Sequence, residues 1–354
     1  MLYFLADLAH FNLFSYITFR AGAAFCIAFA LSLFAIPQFI AWAKRQGATQ
    51  PIFRHAPSRH IQKQNTPTMG GAVFIGCALF AALITANMTN LFVLIAFLCI
   101  AIFCAIGMID DMAKVKDRQN ESGLSARRKF LYQIVAAGFV GYLLFIIPGF
   151  NTSLYLPFIK ESIGDYGIYM FLFWVLVIVS SSNAVNLTDG LDGLAATPSL
   201  FAIATLTFFA YITGHAILSH NLLMPGINGV GEVVVVAAAM LGSLLGFLWF
   251  NANPAEIFMG DSGSLSIGAF IAYLAILSKI EALLLLIGFI FVVETVSVIL
   301  QVGSYKLRRK RIFLMAPLHH HFELKRWAEN KIIVRFWIIA LLSNILALIT
   351  IKIR

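Results

Sequence analysis

The chain has few charged residues. Of its 354 residues, 25 are Lys or Arg and 16 are Asp or Glu, so only 12% are formally charged. A soluble globular protein carries charge on about a quarter of its residues. This scarcity excludes a soluble enzyme, and the abundance of apolar residues excludes a disordered chain. About 212 residues are hydrophobic (60% of 354), enough for about ten membrane-spanning helices. The composition therefore predicts a polytopic membrane protein.

Cysteine is also scarce, and its spacing matches no disulfide framework or metal cluster. Cys26, Cys77, Cys99 and Cys104 all lie within apolar stretches, which indicates ordinary packing. The N-terminus lacks a basic region followed by a small-residue cleavage site, so no cleaved signal peptide is expected. Neither an internal repeat nor a low-complexity linker divides the chain. We therefore expect one integral-membrane domain over residues 1–354.

Ten apolar runs are long enough to cross a bilayer. We expect helices because every backbone polar group must be paired within the bilayer. A closed β-barrel would instead show alternating segments of about ten residues. The division between the eighth and ninth runs rests only on Lys279 and Glu281. The predicted spans are 18–42, 70–87, 91–109, 130–149, 168–185, 195–213, 231–250, 264–280, 282–303 and 333–352.

Lys and Arg residues predict the orientation of these spans. Three connecting segments, after the first, third and ninth spans, contain five, six and eight basic residues, and they fall on one face of a ten-span protein. Basic loops face the cytoplasm, so both termini are expected on the outer side. The same bias explains the net charge of +9 without a nucleic-acid partner, which would require a basic face on a soluble domain.

Three acidic motifs are expected at the cytoplasmic face. Asp110 and Asp111 end the third span, where negative charge opposes the helix dipole. The segment 183–193 reads NAVNLTDGLDG, and the segment 250–264 contains Asp261 between two glycines. Carboxylate and carbonyl oxygens suit Mg²⁺. The plainer alternatives are a solvated helix end, a pair of Asp-Gly turns and a helix N-cap, respectively.

Two further motifs contribute cations and polar groups to the same face. The first cytoplasmic loop ends in KQNTPTMGG, from Lys63 to Gly71, whose Lys, hydroxyls and glycines suit phosphate, although it also reads as a plain entry into a span. The last such loop contains three successive histidines, 319–321, which favour phosphate or sugar contact over a Zn²⁺ site. Glu294 is the one carboxylate at membrane depth, and hydrogen bonding within the bundle is the simpler interpretation of it.

Together these motifs indicate phosphoryl transfer. Carboxylates, Mg²⁺ and lysines carry out that chemistry mainly by positioning and neutralising phosphates. A site at the boundary of lipid and water implies one lipid substrate and one soluble substrate. The residues alone thus predict a Mg²⁺-dependent transferase that joins a soluble nucleotide donor to a lipid phosphate.

The motifs TPTMGG (66–71), the Asp pair (110–111), NAVNLTDGLDGL (183–194), FMGDSGS (258–264) and MAPLHHHFELK (315–325) resemble those of the phospho-N-acetylmuramoyl-pentapeptide-transferases. These bacterial enzymes belong to the polyprenyl-phosphate N-acetylhexosamine-1-phosphate transferase superfamily. The resemblance implies transfer of phospho-MurNAc-pentapeptide from its UDP carrier to undecaprenyl phosphate, which gives lipid I and UMP in peptidoglycan synthesis. It also implies a bacterial inner membrane location and a homodimer.

The resemblance assigns roles by motif position. Asp261 is expected to be the main Mg²⁺ ligand, Asp110 the base or orienter for the lipid phosphate, and Asp111 its assistant, with both as further candidate ligands. The expected substrate-binding residues are Lys63, Thr68, Lys129, Asn183, Asn186, Asp189, Asp192, Phe258, Gln301, His319, His320 and His321. Whether catalysis is a direct attack or proceeds through an enzyme intermediate stays open.

Two alternatives are weighed against this expectation. A sister transferase that uses UDP-GlcNAc shares the acidic motifs, but the histidine run argues against it. A transporter or lipid flippase would place polar groups near the midplane, where Glu294 is the sole ionisable candidate.

Overall fold

The architecture is almost entirely helical. A computed structural model describes residues 3, 12–47, 66–117, 123–159 and 161–352. Within them, thirteen α-helices are joined by short turns and a two-stranded antiparallel hairpin, in which Ser153 pairs with Asp165. The helices are α1 (Ile17–Gln46), α2 (Gly70–Thr85), α3 (Leu91–Asp117), α4 (Ala126–Phe145), α5 (Ile168–Thr188), α6 (Ala196–Thr213), α7 (Ala216–Asn221), α8 (Val233–Asn251), α9 (Gly260–Leu277), α10 (Leu284–Ile287), α11 (Phe289–Arg308), α12 (Leu318–Leu324) and α13 (Glu329–Ile349). The strands are β1 (Ser153–Leu154) and β2 (Gly164–Asp165).

Eight of the described helices are long and apolar enough to cross a membrane, which confirms a polytopic membrane protein. They are α1, α3, α5, α6, α8, α9, α11 and α13. The other two predicted spans, 70–87 and 130–149, coincide with α2, which is 16 residues long, and with α4. The count of ten spans and the outward position of both termini remain predictions.

Helix α9 lies at the centre of the bundle. Every one of its residues except Gly260 is buried, and the helix packs against α2, α3, α5 and α6. Small residues allow this closeness, as they commonly do between membrane helices. A Cβ on Gly268, for example, would overlap the backbone of Ser181 and Ser182 in α5. The first turn of α9, which carries Asp261, is therefore held by several neighbours at once.

The boundary between the eighth and ninth predicted spans is a buried turn. Helix α9 ends at Leu277, and Lys279 and Glu281 follow it with almost no exposed surface. The ammonium of Lys279 donates to the carbonyl of Asn151 at 2.6 Å and lies over the ring of Phe150. The carboxylate of Glu281 accepts a hydrogen bond from the indole N–H of Trp174 at 3.1 Å. Each of these polar side chains thus has a hydrogen-bond partner within the protein.

Candidate active site

Three carboxylates converge where α3 ends and α9 begins. Asp110 and Asp111 lie near the end of α3, and Asp261 lies in the first turn of α9. One oxygen from each lies within 4.8 Å of the others, and all three residues are at most 9% exposed. Like charges held this close repel one another, so the cluster requires nearby cations or a bound metal ion.

Asp111 fixes the position of Asp261. Its two carboxylate oxygens accept hydrogen bonds from the backbone N–H groups of Asp261 at 2.9 Å and Ser262 at 3.0 Å. These donors belong to the unpaired N–H groups at the start of α9, where a negative charge is also favourable. Helix α3 approaches so closely that a Cβ on Gly107 would overlap the backbone of Asp261 and Ser262.

Two lysines neutralise much of the cluster's charge. The ammonium of Lys114 lies 2.7 Å from Asp110 Oδ2 and 2.9 Å from Asp261 Oδ2. The ammonium of Lys129, from α4, contacts the same oxygen of Asp261 and lies 3.4 Å from Asp110 Oδ2. Three carboxylates and two ammonium groups leave a net charge of −1. Both lysines retain exposed side-chain surface, so they also face the open side of the site.

The two asparagines of the NAVN segment lie on α5 and have different partners. Asn186 donates to Asp261 Oδ1 at 2.6 Å and to the hydroxyl of Ser264 at 2.8 Å, so it orients the carboxylate directly. Asn183 donates to the side chain of Gln133 at 2.6 Å and to the carbonyl of Val179 at 2.8 Å. The segment therefore contributes one residue to the acidic cluster and another to the interface with α4.

The Asp-Gly turns follow α5. Asp192 is buried, and its Oδ2 accepts hydrogen bonds from the Asn253 side chain and the Ala255 N–H, both at 3.0 Å. This contact joins the turn to the segment that precedes α9. Asp189 is half-buried, and desolvation, followed by the nearby carboxylates of Asp261, Asp111 and Asp192, raises its pKa to about 8. Burial and the neighbouring carboxylates therefore favour the protonated form of Asp189 when no cation is bound.

The TPTMGG motif docks against the FMGDSGS motif through backbone groups. The N–H groups of Gly70 and Gly71 donate to the carbonyls of Phe258 at 2.9 Å and Met259 at 2.8 Å, and Phe258 N–H donates to Pro67 O at 2.8 Å. The two glycine amides thus hold the start of α9 in place. The Phe258 side chain remains half-exposed.

Comparison with known proteins places these motifs in a family. The family model described as Glycosyl transferase family 4 matches residues 93–279. The phospho-N-acetylmuramoyl-pentapeptide-transferases of a Nitratiruptor species and of Sulfurimonas denitrificans are 59% and 57% identical to the chain, and that of Campylobacter curvus is 55% identical. Each alignment spans 354 residues and covers both chains completely. The chain belongs to the phospho-N-acetylmuramoyl-pentapeptide-transferase family. It is therefore a multi-pass membrane transferase.

The remaining residues expected to bind substrate in this transferase take varied positions. Thr68 is buried within the TPTMGG motif, while Lys63 lies outside the described residues. The side chain of Gln301 accepts hydrogen bonds from the N–H groups of Ile312 and Phe313 and donates one to the carbonyl of Phe313, each at 3.0 Å. These bonds hold the segment that leads into α12.

The three histidines of the transferase differ in their surroundings. His319 is buried and His320 Nδ1 lies 2.6 Å from Glu323 Oε2. His321 Nδ1 accepts from Leu314 N–H at 3.1 Å, and partial burial together with nearby Lys325 lowers the pKa of its imidazole. The run therefore does not present three equivalent side chains to one ligand.

Lys114 is one of the site residues that the sequence analysis missed. It follows Asp110 by four residues, the spacing at which opposite charges on a helix pair, so this signal was available. Gln133 and Ser264, the partners of the two asparagines, were also missed, because their contacts cross between helices and no local pattern indicates them.

Proposed function

We propose that this transferase moves phospho-MurNAc-pentapeptide from UDP-MurNAc-pentapeptide to undecaprenyl phosphate, with lipid I and UMP as products. The observation that carries the proposal is the cluster of Asp110, Asp111 and Asp261 with two lysines at the ends of apolar helices. Such a cluster binds phosphates where lipid and water meet. The names of relatives that are 55–59% identical over the full chain support this choice of donor.

Mg²⁺ is the proposed cofactor, and the residues fit it. Carboxylate oxygens are its preferred protein ligands, and three lie within 4.8 Å of one another. Asp261 and Asp110 would hold the ion through their Oδ2 atoms, which contact two partly exposed lysines that an ion can displace, whereas both oxygens of Asp111 accept from backbone N–H groups. When bound, Mg²⁺ neutralises phosphate charge and polarises the phosphoryl group.

The reaction forms a bond between an oxygen of the lipid phosphate and the phosphorus that carries the sugar. The pyrophosphate linkage breaks, and UMP leaves with the bridging oxygen. Asp110 orients the lipid phosphate or takes its proton, while Lys114 and Lys129 offset the negative charge of both substrates. Asn186 keeps Asp261 in one orientation throughout. Direct attack and a two-step route are both consistent with these positions.

A cavity beside the cluster suits the lipid phosphate. It has a volume of about 420 Å³ and is lined by Ala126, Arg127, Lys129, Phe130 and Asn183. Two cations within a mainly apolar wall match an anionic headgroup on a prenyl chain. Lys129 belongs both to this cavity and to the acidic cluster, so a phosphate bound there would lie next to the reacting groups.

The donor is proposed to bind on the side formed by Asp189, Asp192 and Phe258. The half-exposed ring of Phe258 can stack on uracil, and the half-buried carboxylate of Asp189 can face the sugar, while the buried Asp192 holds the turn against the segment before α9. A nucleotide donor is cytoplasmic, so we place the site at the cytoplasmic face of the bacterial inner membrane. The basic loops independently predict that orientation.

The proposal is tested by UMP release from the purified protein in lipid nanodiscs. We expect turnover with UDP-MurNAc-pentapeptide that requires both undecaprenyl phosphate and Mg²⁺, and none with UDP-GlcNAc. Turnover with UDP-GlcNAc alone would support the sister transferase instead. No turnover with either donor would refute the proposal.

A further inference from the structure

Glu294 is a fully buried carboxylate on α11, and its side-chain contacts among the described residues lie at the start of α12. Burying a charge is costly unless it is paired, and more so at membrane depth. Its Oε2 accepts a hydrogen bond from Leu318 N–H at 2.6 Å, and its Oε1 accepts one from His319 N–H at 3.2 Å. Its Oε2 also lies 3.3 Å from Nδ1 of His319. The carboxylate is therefore committed to the first turn of α12.

Helix α12 depends on such a partner. The first N–H groups of any helix have no acceptor within the helix, and the residue before α12 is Pro317, which has no side-chain acceptor. A seven-residue helix is also too short to be stable by itself. Hydrogen bonds to a carboxylate are about twice as strong as neutral ones, and the negative charge suits a helix N-terminus. Glu294 thus anchors α12 to α11.

The anchored helix supports the Asp189–Gly193 turn through His319. The imidazole is 1% exposed and lies directly against Gly190. A Cβ on Gly190 would be 2.7 Å from Cε1 of His319 and nearer still to Nε2. Gly190 directly follows Asp189, so displacement of the ring removes the neighbour against which the turn that carries Asp189 packs.

We propose that Glu294 is a positioning residue, which holds His319 beneath Gly190 and thereby fixes the turn that binds the donor. This inference rests on the proposed function, in which Asp189 and Asp192 belong to the donor site. It predicts a selective effect on donor binding. General loss of stability would instead affect both substrates.

The test uses the full-length protein in nanodiscs with Glu294→Gln, which keeps the size of the side chain but removes its charge. Glu281→Gln is the matched control, because Glu281 is also a buried, hydrogen-bonded glutamate and lies outside the site. Hydrogen exchange over residues 313–324 reports on α12. Steady-state kinetics give KM separately for UDP-MurNAc-pentapeptide and undecaprenyl phosphate.

In Glu294→Gln we expect exchange at 313–324 and donor KM to rise by about ten- to a hundredfold, the factor for losing one hydrogen bond to a charged group. The KM for the lipid is expected to stay within about twofold, which marks a selective loss of donor binding. Glu281→Gln should change none of these values. Equal increases in both KM values, or the same effect in Glu281→Gln, would overturn the inference.

Two additional measurements test the inference if the first variant does not fold or if the donor is not used. If Glu294→Gln does not fold, His319→Ala removes the same support, and an unchanged donor KM in that variant overturns the inference. If the wild type does not use this donor, the proposed function fails. Hydrogen exchange then still tests whether Glu294 anchors α12, and unchanged exchange at 313–324 in Glu294→Gln would refute that anchoring.

Discussion

Replacement of Gly71 by alanine should displace the start of α9. The new Cβ would lie 2.8 Å from Met259 O and closer still to the backbone N and Cα of Gly263, where 3.4–4 Å is ordinary contact. Because backbone atoms cannot rotate away, the two segments must separate by more than half an ångström. Overpacking of this kind costs about 1–3 kcal/mol. The helix propensity of alanine offsets about 0.8–1 kcal/mol of it.

The assay pairs thermal unfolding in nanodiscs with UMP release, and Gly76→Ala is the control. Gly76 lies in the same helix, but a Cβ there meets nothing within 4 Å, so this variant should be unchanged or slightly stabilised. Gly71→Ala should unfold at a lower temperature and lose turnover, because the displaced segment carries Asp261. If both variants match in unfolding temperature and turnover, the docking of the two motifs does not position the site.

The remaining predictions concern the acidic side chains and their metal. Asp111→Asn should lower the unfolding temperature, because it removes a charge-assisted hydrogen bond to the start of α9, worth about 1.5–3 kcal/mol; an unchanged unfolding temperature would contradict this role. Asp110→Asn and Asp261→Asn should each reduce UMP release by orders of magnitude in folded protein, and near-normal turnover in Asp261→Asn would refute its role as a ligand. Without divalent cations, the fold favours protonated Asp189, whose pKa is raised to about 8, so stability should fall as pH rises toward that value and level off above it. Melting temperatures between about pH 5 and 8 should therefore decline less in Asp189→Asn than in the wild type, and parallel declines would exclude Asp189 as the cause. Finally, removal of Mg²⁺ with a chelator should abolish UMP release, and re-addition should restore it; turnover that survives chelation would exclude the metal.

The helical spans could be predicted closely because apolar length is a local property of the chain. The predicted run 195–213 corresponds to Ala196–Thr213, and the run 231–250 to Val233–Asn251. The meeting of Asp110, Asp111 and Asp261 also followed from local information, since basic loops place the ends of their helices on one face. Neither inference required knowledge of how the helices pack against one another.

Contacts that depend on how helices pack could not be predicted. Asn186 was expected to line the donor site, and the packing of α5 against α9 brings its amide to Asp261, a contact that no local pattern indicates. The glycine amides of TPTMGG were expected to suit phosphate, yet they bond to carbonyls of a segment nearly 190 residues later. Glu294 likewise finds its partners only because the chain after α11 folds back over it.

The close approach of Gly71 and Gly107 to the segment around Asp261 has a consequence for selectivity. Two helices confine this segment at distances that leave no room for a side chain, so the acidic wall of the cleft is a rigid reference surface. We therefore expect residues that accommodate donors of different size to lie outside this segment. An inhibitor that contacts only this segment should discriminate poorly between related transferases.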